Sequence, residues 1–266
     1  MSTFRIEKLN IHPLKSAQAF SIQEAVVNDS GLEGDRICAL INEKQTVLTG
    51  RECPKILSIS VTYTGSNMIV TAHGQEELNI DLENCPKTEI EAQLFREPFK
   101  TWKVNGKSSE WFSKAIGQEC HLILNNPQHS RTIRHIEGEN PITLSDACPI
   151  HLINQNSVDD LSKRLGNTVD SARFRPNILI SGIDPYEEEN WKEVHIGNLG
   201  FKVVLKTKRC TMITIDPKTQ EKDPETEPLR ELATYKRDGG KVNFGIYLVP
   251  QGNGKIKTSD PCKVYI

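Results

Sequence analysis

KTKRCTMITIDPKT, residues 206–219, is the most informative stretch of the sequence. Three cationic residues, Lys206, Lys208 and Arg209, precede Cys210 within four positions. Positive charge close to a cysteine favours the thiolate form, which attacks electrophiles and binds metals. Cys210 is therefore a candidate nucleophile or soft-metal ligand. The alternative is a strand cysteine among surface lysines, since most lone cysteines are structural.

The remaining cysteines are scattered along the chain. An odd total of 7 with no Cys-x-x-Cys pair gives no support to a zinc ribbon, a ferredoxin-type cluster or a thioredoxin site. In a reducing compartment most cysteines of this kind are small buried side chains. If Cys210 does chemistry, we expect it to do so without a second cysteine.

The composition is that of a globular protein. The 266 residues are 36% hydrophobic and 26% charged, and the length is enough for two small domains or one large one. Because 33 Lys+Arg nearly balance 35 Asp+Glu, a basic surface that wraps a nucleic acid polymer is not expected. No run approaches the roughly 20 apolar residues of a membrane span, and the first residues lack the apolar core of a signal peptide. We therefore expect a cytoplasmic protein without a membrane partner.

The hydrophobic pattern predicts a mostly β protein with a few helices, an α+β fold. Short, closely spaced strands in the first hundred residues predict a barrel or sandwich. Residues 125–146 predict a long irregular loop that holds His129, Arg131, Arg134 and His135. Predicted strands include 6–11, 22–27, 36–41, 56–63, 68–72, 78–82, 119–124, 149–153, 178–180, 201–205, 213–215, 244–249 and 262–266. Predicted helices run from Ser108 or Ser109 to Gly117, from Ser157 to Gly166, and from Pro228 to Tyr235.

A second group of residues suits an anionic ligand. Lysine, arginine and serine side chains stand next to predicted strand ends, and these are natural phosphate ligands. Each residue alone is more often part of a surface salt bridge, but their shared position at strand ends predicts a common pocket. The group consists of Lys15, Ser16, Arg36, Arg51, Arg173, Arg175 and Asn177.

Six stretches occur in an order that resembles a known family. They are IHPLKS (11–16), GLEGDR (31–36), LTGR (48–51), SDACP (145–149), FRPNI (174–178) and KRCTMITIDPKT (208–219). The last three resemble the MOSC domain (molybdenum cofactor sulfurase C-terminal), and the first three resemble the N-terminal β-barrel domain that accompanies it. The resemblance covers nearly the whole chain. It implies a MOSC N-terminal β-barrel domain at 1–120, packed with a MOSC β-barrel domain at 121–266 that carries the cysteine.

The resemblance also implies a cofactor and its ligands. In amidoxime-reducing components and bacterial reductases of N-hydroxylated bases, a cysteine thiolate ligates the molybdenum of the molybdenum cofactor (Mo-molybdopterin), and Cys210 matches that ligand. Asp146 is a candidate catalytic proton donor, although capping its own turn is the alternative role. Family members often carry Ser or Thr where this chain has Ala147 and Cys148. The implied cofactor-binding residues are Lys15, Ser16, Arg36, Ala147, Cys148, Arg175, Asn177 and Arg209.

The implied function is that of a detoxifying oxidoreductase. It would reduce N-hydroxylated compounds, such as hydroxylamino-purines and amidoximes, to amines. Some relatives carry a ferredoxin domain or a membrane anchor, and neither is expected here. Electrons are therefore expected from a separate flavoprotein or iron–sulfur protein. Two alternatives use the same thiolate: a carrier that binds the molybdenum cofactor without turnover, and a sulfur carrier with a persulfide on Cys210.

Overall fold

The computed structural model describes residues 4–133 and 140–265. These residues form three α-helices and many short strands, so the predicted mostly β fold with a few helices is confirmed. The helices are α1 (Lys107–Ile116), α2 (Gln155–Leu165) and α3 (Leu229–Tyr235). The described helices are all too short and too polar to cross a membrane. The strands are β1 (Arg5–Ile11), β2 (Phe20–Ile22), β3 (Glu24–Asn28), β4 (Gly31–Leu32), β5 (Cys38–Ile41), β6 (Ser60–Tyr63), β7 (Asn67–Thr71), β8 (Leu78–Asp81), β9 (Lys87–Leu94), β10 (Glu97–Val104), β11 (His121–Asn125), β12 (Arg131–Thr132), β13 (Pro141–Ile142), β14 (Ile150–Asn154), β15 (Ile178–Ser181), β16 (Glu193–Ile196), β17 (Leu199–Arg209), β18 (Arg237–Asp238), β19 (Lys241–Pro250), β20 (Gly254–Lys257) and β21 (Cys262–Tyr265).

The largest sheet joins the two halves of the chain. Its strand order is β2-β1-β15-β14-β19-β17-β16-β21, with β18 also paired to β19. All neighbours are antiparallel except β14 and β15. β1 pairs with β15 so that Leu9 lies opposite Ile178. The loop after β1 therefore lies beside the segment that enters β15. The predicted domain boundary at 120/121 stays a prediction, and this sheet takes strands from both sides of it.

Smaller sheets complete two hydrophobic cores. The sheet β20-β3-β4 covers one face of the main sheet, where Val27 and Ile256 share a core with Phe201. The sheets β6-β7-β8 and β5-β11-β10-β9 enclose the second core with α1, around Ile56 and Phe112. Within residues 4–133 and 140–265 the strand pairings do not close a complete barrel.

The helix starts differ from those predicted. α2 begins after Asn154, whose side chain accepts a hydrogen bond from the Asn156 amide at 3.0 Å. Ser157 is instead buried inside the helix and donates to the Glu188 carboxylate at 3.2 Å. α1 begins after Gly106, so neither predicted serine caps it. A single sequence does not distinguish a polar residue that caps a helix from one in its first turn, so the predicted starts were displaced by a few residues.

Three predictions, for two strands and one loop, were wrong in part of their residues. Residues 56–58 belong to a 3-10 turn, Pro54–Ser58, which precedes β6. Residues 211–214 also form a 3-10 turn, in which the Thr214 hydroxyl donates to the Thr211 carbonyl at 2.8 Å. Short apolar runs are compatible with both structures, because burial alone does not set the backbone. The predicted loop at 125–146 contains the paired strands β12 and β13, and Arg134 and His135 lie outside the described residues.

A glycine allows the main sheet to pack closely beside the site. Gly245 in β19 has a φ of +78°, and a Cβ added there would lie 2.7 Å from the Leu152 carbonyl oxygen. Only a residue without a side chain fits this position. The close approach keeps β19 paired with β14, so that Tyr247 lies opposite His151.

Candidate functional site

An open cleft lies where loops of the first half meet the strand ends of the main sheet. Its cavity volume is about 120 Å³, and it opens to solvent. Six lining residues are cationic, and Asp146 is the one carboxylate among the lining side chains of the described residues. The lining residues are Lys15, Ser16, Arg36, Thr49, Arg51, Ser145, Asp146, Cys148, His151, Phe174, Arg175, Asn177, Lys208, Arg209, Cys210, Met212 and Tyr247.

Cys210 follows the last residue of β17 and presents its thiol to this cleft. All 7 cysteines are free, and Cys210 is the one that is exposed. The guanidinium of Arg51 lies beside it, with Nη1 at 3.9 Å from Sγ. Cys148 also lines the cleft, but burial raises its pKa to about 12, so it remains a neutral thiol. Cys210 is therefore the thiol of the cleft that a ligand entering from solvent can reach.

Lys15 and Asp146 form an ion pair on one wall. Lys15 is only 5% exposed and also donates from Nζ to the Leu144 carbonyl at 2.7 Å. Loss of water contact would raise the pKa of Asp146, but the positive charges of Lys15, Arg51 and Arg36 outweigh it and hold that pKa below its ordinary value. Asp146 is thus a carboxylate at neutral pH, which favours ion pairing over the proposed role as a proton donor.

Asn177 ties three strands together behind the cleft. It is fully buried, and its Oδ1 accepts from Arg36 Nη1 at 2.8 Å and from the His151 amide at 3.1 Å. Its Nδ2 donates to the Asn10 carbonyl at 3.2 Å. Asp35, buried behind, forms an ion pair with Arg36. Asn177 therefore acts on the cleft by positioning the Arg36 guanidinium.

Arg175 and Arg209 bring hydrogen-bond donors that lack protein acceptors. Arg175 Nη1 donates to the Ala17 carbonyl at 2.6 Å, but its shielded Nη2 has no acceptor in the described residues. Arg209 Nη2 donates to the Phe174 carbonyl at 2.9 Å, whereas its Nε has no acceptor there. Burial, together with the charge of Arg36, lowers the pKa of Arg175 to about 9. Shielded donors of this kind normally have a partner, and an anionic ligand that reaches them would supply the missing acceptor.

The segment around Gly50 lies unusually close to the cysteine segment. A Cβ on Gly50 would lie 2.6 Å from Met212 Cε, so a larger residue would push the Met212 side chain aside. The Gly50 amide donates to Ser16 Oγ at 3.0 Å, so the Ser16 hydroxyl has a hydrogen-bond partner within the protein. This close packing brings Arg51 to Cys210.

The structure brings nearly all predicted site residues to the cleft. Two residues are exceptions. Ala147 does not line the cleft and packs with the cluster around Ile142 and Val249. Arg173, predicted as part of the anion-binding group, instead forms an ion pair with Asp216 at 2.6 Å. Arg51, predicted as part of the anion-binding group, also lines the cleft. His151 and Tyr247 line it without having been predicted, and they had no signal in the sequence because they sit in apolar strands. Burial and the charge of Arg209 hold the pKa of His151 well below its ordinary value, so His151 is neutral.

The described residues contain no cluster of three side chains of the kinds that ligate metals. A metal bound by Cys210 must therefore bring most of its other ligands with it. A metal that arrives within an organic cofactor meets this condition, and a thiolate suits a metal that is already bound to sulfur.

Comparisons with known proteins agree with the order of the sequence motifs. Residues 3–119 match the family model of the MOSC N-terminal beta barrel domain, and residues 139–263 match that of the MOSC domain. The human molybdenum cofactor sulfurase is 30% identical over 97% of this chain and 31% of its own length. The mitochondrial amidoxime reducing component 2 of Rattus norvegicus is 27% identical over 96% of this chain and 82% of its own length. The mitochondrial amidoxime-reducing component 1 of Mus musculus is 29% identical over 96% of this chain and 81% of its own length. The chain thus spans about a third of the sulfurases that it matches.

Proposed function

Because the chain belongs to the family in which a MOSC N-terminal beta barrel domain precedes a MOSC domain, we propose that it is a molybdenum-cofactor-dependent reductase. Its substrates are N-hydroxylated compounds, which it converts to amines. The observation that carries this proposal is the exposed thiol of Cys210 in a cleft with six cationic side chains. The matched relatives, by their names, are concerned with the molybdenum cofactor or with amidoxime reduction, which supports the same chemistry.

The residues of the cleft divide into a metal ligand and an anion-binding shell. Cys210 would ligate the molybdenum, and Arg175 and Arg209 would offer their unpartnered donors to the phosphate of the cofactor. Arg36, held by Asn177, and Lys15, held by Asp146, complete the positive charge. When bound, the cofactor supplies the two-electron chemistry that removes oxygen from the N–O bond.

The reaction consumes two electrons and two protons for each substrate. The N–O bond breaks, the oxygen leaves as water, and the nitrogen gains a hydrogen in its place. The open cleft gives solvent protons access to the site, and the Lys15–Asp146 pair keeps a proton on Nζ at its wall. Arg51 places a positive charge beside Cys210, next to the position where the metal would be held.

The electrons are supplied by a separate flavoprotein or iron–sulfur protein. The 7 cysteines of the chain are scattered, without the spacing of an iron–sulfur cluster. In the part of the chain that the structure describes, no side-chain group offers a second metal centre. A donor protein must therefore approach the mouth of the cleft, where Cys210 is exposed.

Metal analysis and turnover of cysteine variants test the proposal. The full chain is produced in a host that makes the molybdenum cofactor, and turnover of 6-hydroxylaminopurine and benzamidoxime is measured with a chemical reductant. We expect stoichiometric molybdenum and turnover in the wild type, and loss of both in Cys210→Ala. Cys85→Ala is the matched control, because Cys85 is a half-buried thiol outside the cleft. It should retain both.

Two outcomes would overturn the proposal in different ways. Molybdenum that is bound without turnover across a panel of N-hydroxylated compounds indicates a cofactor carrier. A persulfide on Cys210 without molybdenum, detected by mass spectrometry, indicates a sulfur carrier.

A further inference from the structure

The β9–β10 hairpin has unusual residues at its tip. Phe95 and Arg96 connect the two strands, and their φ angles are +54° and +70°. Two-residue hairpin turns with positive φ at both positions favour Asn-Gly or similar pairs, because larger side chains are strained there. A phenylalanine kept in such a strained conformation suggests that its side chain has a function at that position.

The ring of Phe95 packs against two cationic side chains that line the cleft, although Phe95 is not itself a lining residue. Arg51 Cζ is 5.2 Å and Lys15 Nζ is 5.8 Å from the ring centroid, and both residues line the cleft. Arg51 also lies 3.9 Å from Cys210 Sγ through its Nη1 atom. A single guanidinium therefore separates the aromatic ring from the thiol that is the candidate metal ligand.

The surroundings of Phe95 leave part of its ring free. The residue is 44% exposed, which makes it one of the few exposed large hydrophobic side chains of the described residues. Lys15 and Arg51 are themselves held by the Leu144 carbonyl and the Thr49 hydroxyl, so the ring rests on fixed cations. A flat, partly exposed aromatic ring at the mouth of a site is suited to stacking on another planar ring.

We propose that Phe95 is a specificity-determining residue that stacks on the substrate at the mouth of the cleft. The preferred substrates are planar, N-hydroxylated heteroaromatic bases, which present a flat face to the ring. Aliphatic N-hydroxylated compounds have no such face. This inference rests on the proposed reductase function and names a residue that selects among its substrates.

The kinetic test compares a planar and an aliphatic substrate, 6-hydroxylaminopurine and acetamidoxime. The double variant Phe95→Asn with Arg96→Gly removes the ring and supplies turn residues that favour this conformation, so the hairpin is kept. We expect KM for the purine to rise about tenfold, the value of one stacking contact, with kcat unchanged and KM for acetamidoxime changed less than about twofold. Phe95→Tyr should behave as the wild type. Tyr265→Leu is the control, because Tyr265 is an exposed aromatic residue on β21 outside the cleft.

A binding test separates this inference from the reductase proposal. The Phe95→Trp variant of the holoprotein is titrated with 6-hydroxylaminopurine, and the wild-type signal is subtracted. Quenching of the added fluorescence supports stacking even where turnover is absent, in which case the reductase proposal alone fails. Turnover without quenching, or an equal rise in KM for both substrates in the double variant, overturns the stacking role.

Discussion

Replacing Asn177 with alanine is expected to destabilise the protein by about 4 kcal/mol, because the change removes the hydrogen bonds of a fully buried side chain. The His151 amide and the Asn10 carbonyl would lose their side-chain partner. Each buried polar group left in this way costs about 1–3 kcal/mol. The lost hydrogen bond to the Arg36 guanidinium adds about 1.5 kcal/mol or more, since that donor is charged.

Urea unfolding measures this change, with the midpoint and the slope fitted separately. Asn79→Ala is the matched control, because Asn79 is an exposed asparagine in β8. Its effect should stay within about 0.5 kcal/mol. The molybdenum content of Asn177→Ala should also fall, since Arg36 loses the side chain that positions it. A loss of stability below about 1 kcal/mol would refute the reasoning, because it would mean that the three contacts are not held in the native state.

Three other variants test features of the fold. Burial raises the pKa of Glu188 to about 7, above its ordinary value of 4.5. The native state therefore holds a proton that the unfolded state has lost, and stability falls by up to about 3 kcal/mol as the pH rises through that window. In urea unfolding at about pH 5 and about pH 8, Glu188→Gln should lack this loss, and equal pH slopes would contradict the assignment. Gly245→Ala should cost about 3 kcal/mol, because its Cβ would meet the Leu152 carbonyl in a left-handed conformation; an unchanged midpoint would show that β19 can shift. The double variant Phe95→Asn with Arg96→Gly should raise the thermal stability by about 1–2 kcal/mol, since it relieves two left-handed residues; a lower melting temperature would contradict that strain.

The strands could be predicted where side chains alternate, as in β1, but their partners could not. Alternation reports which face of a strand is buried, and it does not report what covers that face. The pairing of β1 with β15 depends on contacts between distant parts of the chain. Residues 211–214 show the same limit on a smaller scale, because their apolar side chains are buried in a turn and not in a strand.

The candidate site could be predicted largely from residue types near strand ends. Lys15, Arg36, Arg175 and Cys210 all lie in the cleft. The sequence could not predict which atoms each buried polar side chain contacts. Asn177, for example, makes its side-chain hydrogen bonds to other parts of the protein. Phe95 had no signal either, because a single exposed aromatic residue in a hairpin is unremarkable until its neighbours are known.

Because β1 pairs with β15, β1 cannot complete its pairing until late in the synthesis of the chain. The Asn10 side chain donates to the Pro176 carbonyl across 166 positions of the chain. At about 5–20 residues per second, a ribosome needs roughly 10–30 s to make that partner. Throughout this time the strand edge of β1 lacks its native neighbour and is open to wrong pairing. The cleft does not exist until the second half has emerged, so any ligand of the cleft can bind only to a finished fold.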